Sequence, residues 1–135
     1  MKNSELHCRV LIIDDNVDIR ESVAAVITLL GHDVVTAIDG EAGMLSGRDF
    51  QPDLVLMDVG LPGMSGYDVA TLMRAESWGQ RAVLAAMTGW AQESDRKRAE
   101  AAGFDVHVPK PVELRTLREL IARALALPEK PAAPY

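Results

Sequence analysis

Val10-Leu11-Ile12-Ile13-Asp14-Asp15 sets four apolar side chains directly before two carboxylates. A short unbroken apolar run is the pattern of a strand covered on both faces, and such strands belong to parallel sheets flanked by helices. The figure recurs along the chain. Val34-Val35-Thr36-Ala37 is a second strand, and Leu54-Val55-Leu56-Met57 is a third that ends on Asp58. Ala82-Val83-Leu84-Ala85-Ala86-Met87 is a fourth that ends on Thr88, and Val106-His107-Val108 is a fifth that leads into Lys110. Helical patterns lie between them. Asn16 is placed to cap the first, in which Ile19, Val23, Val26, Ile27 and Leu30 share one side and Gly31 closes the run. A short helix is predicted from about Glu41 to Gly47, another through Val69, Leu72 and Met73, and another from about Gln92 to Ala102. Leu114, Leu117, Ile121 and Leu125 line one side of the last. Gly60-Leu61-Pro62-Gly63-Met64-Ser65-Gly66 is turn chemistry. Strand and helix alternate throughout, which predicts an α/β fold: a single doubly wound domain with a parallel five-stranded sheet and helices on both faces. Pro109 cannot donate a ladder hydrogen bond, so the fifth strand is expected at a sheet edge.

The length of 135 residues suits one domain with its own core. We expect an N-terminal arm over 1–8, the domain over 9–127 and a Pro-rich tail over 128–135. A net charge of −6 argues against nucleic-acid and anionic-membrane surfaces, both of which attract basic chains. Cys8 is the only cysteine, so no intrachain disulfide can form. With no apolar run of membrane-spanning length and no signal-peptide pattern at Met1-Lys2-Asn3, a cytoplasmic chain is expected.

In an open parallel sheet, ligands sit outside the carboxyl ends of the strands. Four of the five strands here end in polar groups: Asp14 with Asp15, Asp58, Thr88 and Lys110. Three carboxylates in one pocket repel, by about 4 kcal/mol for a pair at 4 Å and an effective dielectric near 20. Lys110 offsets one charge, and a divalent cation would offset the other two. Oxygen ligands with room for water and phosphate favour Mg²⁺. A charge-compensated Asp58 is then a competent nucleophile toward a phosphoryl donor. A Gly-rich loop after the first strand, which a dinucleotide fold would need, is absent, and His7-Cys8 is too small a set for zinc.

Four segments together carry a resemblance: Val10 to Asn16, Met57-Asp58-Val59-Gly60-Leu61-Pro62-Gly63-Met64-Ser65-Gly66, Met87-Thr88-Gly89 and Val108-Pro109-Lys110-Pro111. In this order they resemble the receiver domain of bacterial two-component response regulators, with the likeness running from about Arg9 to Leu127. The resemblance implies a flavodoxin-like (βα)5 fold with strand order 2-1-3-4-5. It implies Asp58 as phosphoacceptor and Mg²⁺ on Asp15 and Asp58, with Asp14 acting through water and the Gly60 carbonyl completing the protein ligands. Thr88 and Lys110 would meet the phosphoryl group, and the Lys110–Pro111 bond would be cis. The implied donors are a histidine kinase or a histidine phosphotransfer protein. Output would be by contact with an unidentified protein, by homodimerisation, or as a phosphate sink.

Two positions depart from the commonest pattern of that family. His107 stands where Tyr or Phe is usual at the switch position. It is either a half-buried strand residue or a pH-sensitive switch partner of Thr88. Trp90 follows Thr88 by two residues, either packed over the loop, exposed as a partner anchor, or shielding the phosphoryl group. The helix from Gln92 to Ala102 has only alanine on its candidate buried side, so it should be the least firmly held. The rival readings are a small aspartyl-phosphate phosphatase, a phosphorylation-independent binding module, and a receiver cut from a hybrid kinase. The phosphatase would want a second acid where Gly60 stands.

Overall fold

The computed structural model describes residues 7–89 and 93–126. In chain order its elements are β1 (Arg9–Ile13), α1 (Val17–Leu29), β2 (Asp33–Ala37), α2 (Gly40–Phe50), β3 (Leu54–Asp58), α3 (Gly66–Arg74), α4 (Ser77–Arg81), β4 (Val83–Thr88), α5 (Glu93–Ala102), β5 (Val106–Pro109) and α6 (Leu114–Ala126). The strands form one parallel sheet in the order β2-β1-β3-β4-β5. This is the expected doubly wound, flavodoxin-like order, with β5 at an edge as Pro109 required. Strand order reverses between β1 and β3, so the ligand crevice opens at the carboxyl ends of those two central strands.

Alternate strand residues feed two cores. Leu11, Ile13, Val55, Met57, Leu84 and Ala86 face one layer, which includes Met44, Met73, Trp78 and Phe104. Val10, Ile12, Leu54, Leu56, Val83 and Met87 face the other, with Val23 and Ile27 of α1 and Leu117, Leu120 and Ile121 of α6. Asn16 caps α1 as expected, its side chain accepting from the Ile19 N–H, and Gly31 follows that helix at φ 92°.

The structure differs from the sequence reading in three places. Helix α2 runs from Gly40 to Phe50, longer than Glu41 to Gly47, and an unpredicted turn, α4, stands between α3 and β4. One contact explains both. The Trp78 ring of α4 is buried, and it lies where a side chain on Gly47 of α2 would be. An indole buries about 200 Å², which at ~25 cal/mol per Å² contributes about 5 kcal/mol. The glycines of α2 each cost about 1 kcal/mol of helix propensity, so packing wins over propensity. Glu76 secures the turn by accepting from Trp78 Nε1 at 3.0 Å and pairing with Arg48 of α2 at 2.9 Å. The third difference concerns α6. Leu114 is exposed, while Leu120 and Ala124 are buried beside Leu117 and Ile121.

Candidate functional site

Beyond the last residue of β1 the Asp14 N–H donates to the Ala37 carbonyl (3.1 Å), carrying the sheet one residue further. The Asp14 carboxylate is completely buried. Its Oδ1 accepts from the Asn16 N–H at 2.9 Å, and its carbonyl accepts from Arg20 Nη1 at 2.9 Å. At the end of β3, Asp58 Oδ1 accepts from the Gly60 N–H at 3.0 Å. A side chain on Gly66 would lie 2.6 Å from the Asp58 carbonyl oxygen, so only glycine lets α3 begin this close to β3. Thr88 is buried at the end of β4, and its carbonyl accepts from the Lys110 N–H at 2.8 Å. That bond ties the end of β5 to the end of β4. The Lys110–Pro111 peptide is cis, as the resemblance implies.

Lys110 closes the site. Its Nζ lies 2.9 Å from Asp14 Oδ2 and 3.4 Å from Asp58 Oδ2. Asp14 Oδ2 accepts no hydrogen bond of standard geometry, so this contact is one of charge. Burial pulls the Lys110 pKa down, but Asp14 and Asp58 together outweigh it and hold the ammonium above its ordinary value. The exposed Asp15 completes the group: oxygens of Asp14, Asp15 and Asp58 lie within 4.8 Å of one another. Three carboxylates and one ammonium leave two negative charges at the mouth of the sheet. With all-oxygen donors gathered round two uncompensated negative charges, the residues fit a small hard divalent cation.

His107 pairs in register with Ala86, is half-buried, and has a buried Nε2 without a hydrogen-bond partner. Burial lowers its pKa, Arg96 adds to the effect and Asp95 opposes it. It borders a cleft of about 390 Å³ whose other walls include Arg96, Lys97, Glu100 and Phe104. Among its described residues α5, which forms one wall of the cleft, buries only Ala99, and two further contacts run sideways to α3. Arg98 lies 4.1 Å over the Tyr67 ring, and Thr71 Oγ1, which donates to the Tyr67 carbonyl at 3.0 Å, lies 3.4 Å from the Ala102 carbonyl. Trp90 lies outside the described residues. Sequence reasoning missed Arg20, whose signal was an arginine one helical turn after the Asn16 cap.

The comparisons with known proteins agree with this arrangement. Residues 10–122 match the family described as response regulator receiver domain. The chain is 32% identical to the virulence sensor protein BvgS of Bordetella pertussis, over 96% of this chain and 11% of that protein. It is 32% identical to the transcriptional regulatory protein PrrA of Mycobacterium tuberculosis, over 88% of this chain and 49% of PrrA. The chain thus spans about half or less of these relatives. The receiver domain of the sensor histidine kinase PA1611 of Pseudomonas aeruginosa, solved with a magnesium ion coordinated in its active-site cleft, superposes with a TM-score of 0.80. The match has 28% identity and covers 88% of this chain and 98% of that one. With strand order, polar strand ends and family match in agreement, the chain belongs to the response regulator receiver domains of two-component signalling.

Proposed function

We propose that this receiver takes a phosphoryl group onto Asp58 from a phosphohistidine of a histidine kinase or histidine phosphotransfer protein. The observation that carries the reading is Lys110 Nζ set between Asp14 and Asp58, 2.9 and 3.4 Å from their oxygens, at the ends of adjoining strands. An Asp58 carboxylate oxygen attacks phosphorus, the P–N bond breaks, and its electron pair stays on the imidazole nitrogen. Asp15, Asp58 and the Gly60 carbonyl, with Asp14 acting through water, would hold Mg²⁺, and the ion when bound would compensate the charge on the phosphoryl oxygens. Lys110 pairs with a further phosphoryl oxygen, and the Thr88 hydroxyl donates to the phosphoryl group after transfer. As Thr88 moves to make that bond, the His107 imidazole swings inward beside α5.

One charge-assisted hydrogen bond from Thr88 contributes about 1.5–3 kcal/mol, against about 5.5 for a shift from 1:99 to 99:1. Lys110 and the partner therefore supply the remainder. We take residues 9–127 as the receiver proper; the arm over 1–8 and the tail over 128–135 expected from the sequence fall largely outside the described residues. Among the described residues no helix is long and apolar enough to cross a membrane, and we place the chain in the cytoplasm as a switch whose only chemistry is its own phosphorylation and hydrolysis.

The test is an intact-mass time course with acetyl phosphate in Mg²⁺ or in EDTA, for wild type and Asp58→Ala. One phosphoryl group appears on wild type in Mg²⁺ alone. An adduct on Asp58→Ala at the wild-type rate would move the acceptor elsewhere, and no adduct from acetyl phosphate or a phosphorylated donor protein would leave a binding module as the better reading.

A further inference from the structure

We infer that Arg20 is a positioning residue of the acidic site, holding the Asp14–Asp15 peptide so that the exposed Asp15 carboxylate stays with Asp14 and Asp58. The inference rests on the metal-binding reading above. Asp14 and Asp58 are both held through their carboxylates, by the Asn16 and Gly60 N–H groups and by Lys110. Asp15 has nothing comparable: among the described residues its side chain makes no hydrogen bond or ion pair, yet an oxygen of it lies within 4.8 Å of the other two. Its direction therefore depends on the backbone, and chiefly on the plane of the peptide that joins it to Asp14.

That plane is held through its carbonyl. The preceding Ile13–Asp14 peptide is fixed separately, the Asp14 N–H donating to the Ala37 carbonyl at 3.1 Å. The carbonyl of the Asp14–Asp15 peptide itself accepts from Arg20 Nη1, at 2.9 Å. Arg20 is well placed for this because its own N–H donates to the Asn16 carbonyl at 3.1 Å, in the first turn of α1, which the Asn16 side chain caps. The guanidinium thus reaches back over the turn it starts and closes the β1–α1 loop on itself. A rotation of the freed peptide would swing the Asp15 carboxylate away from its partners without breaking any side-chain contact of Asp15.

Charge and position make opposite predictions here. A guanidinium beside three carboxylates repels a bound cation, so deleting it should tighten Mg²⁺ binding if only its charge matters. If it positions Asp15, deletion should weaken binding; groups that orient metal ligands from behind are worth about tenfold or more in affinity. Calorimetric titration of the full chain with Mg²⁺ decides, using wild type, Arg20→Met, Arg20→Lys and Asp15→Asn. The inference expects Asp15→Asn to lose most of the binding, Arg20→Met to bind about tenfold more weakly than wild type, and Arg20→Lys to fall between. In EDTA, Arg20→Met should also speed hydrogen exchange at the Asn16 amide. If wild type binds, Asp15→Asn does not, and Arg20→Met binds as tightly as wild type or more so, the inference is overturned and the metal reading stands. If wild type does not bind, or Asp15→Asn binds like wild type, the metal reading fails and Arg20 loses this role with it.

Discussion

Replacing Lys110 by methionine keeps most of the side-chain volume and deletes the ammonium that touches both Asp14 and Asp58. At 2.9 Å and an effective dielectric near 20, the Lys110–Asp14 pair carries about 6 kcal/mol of raw attraction. Drying the two ions offsets most of that. The quantity that matters is the cost of stranding one partner of a buried pair, about 3–5 kcal/mol. Lys110 keeps 19% of its side chain in solvent while Asp14 keeps none, so the lower figure, about 3 kcal/mol, is the expected loss. The loss should depend on the metal. In EDTA the variant holds three carboxylates with no countercharge; in Mg²⁺ the cation replaces the missing one. If half of the penalty is relieved, Lys110→Met binds Mg²⁺ about tenfold more tightly than wild type, since about 1.4 kcal/mol is one decade. Urea unfolding of both proteins, in EDTA and in saturating Mg²⁺, measures the four free energies required. Two results would refute the reasoning: equal stability of both proteins in EDTA, or equal stabilisation of both by Mg²⁺.

Three shorter predictions concern the surroundings of the site. Gly47→Ala drives a methyl group into the Trp78 ring and should cost about 1–3 kcal/mol in urea unfolding; a neutral result would mean that α2 and α4 separate freely. Tyr67→Leu removes the ring under Arg98, worth about 0.5–1 kcal/mol, and should speed hydrogen exchange several-fold in α5 while leaving α1 unchanged. His107 gives a pH dependence of known sign. Because its pKa is lowered in this fold, the unfolded chain binds its proton first, so its contribution is intact above pH 6.5 and is lost as pH falls through the lower folded value. His32 acts in the same direction, so the measurement is a difference. The stability of wild type relative to His107→Gln should decline from pH 7.5 to 5.5, and a constant difference would show that the imidazole is not desolvated.

The strands and the polar residues that end them were legible because both signals are local. Apolar runs such as Leu54 to Met57 have one reading in a parallel sheet, and the residue after the run must fall at the sheet's mouth. The full length of α2 and the turn α4 were not legible for the opposite reason. Gly40, Gly43 and Gly47 argue against a helix one residue at a time, and only the approach of Val69, Ile13 and Trp78 to those positions explains them. The turn at Trp78 is too short for any periodicity. Leu114 shares a side with Leu117 and Ile121 yet stays exposed, because helical spacing does not say how far a buried stripe reaches toward the end of a helix. Arg20 was passed over because a charged residue in a first helical turn is ordinary, and its bond to Asp14 depends on how the β1–α1 loop folds back.

The single buried alanine of α5 has a consequence for how such a molecule changes over generations. On α3, a substitution at Val69, Ala70 or Met73 enters the core and is restrained by folding before any partner is consulted. On α5, Arg96, Lys97, Arg98 and Glu100 are all exposed, and the core asks of the helix little more than a small residue at position 99. Its surface chemistry can therefore drift almost independently of stability. A duplicated copy could acquire a different recognition code along α5 while the acidic machinery and the sheet beneath it stayed as they are.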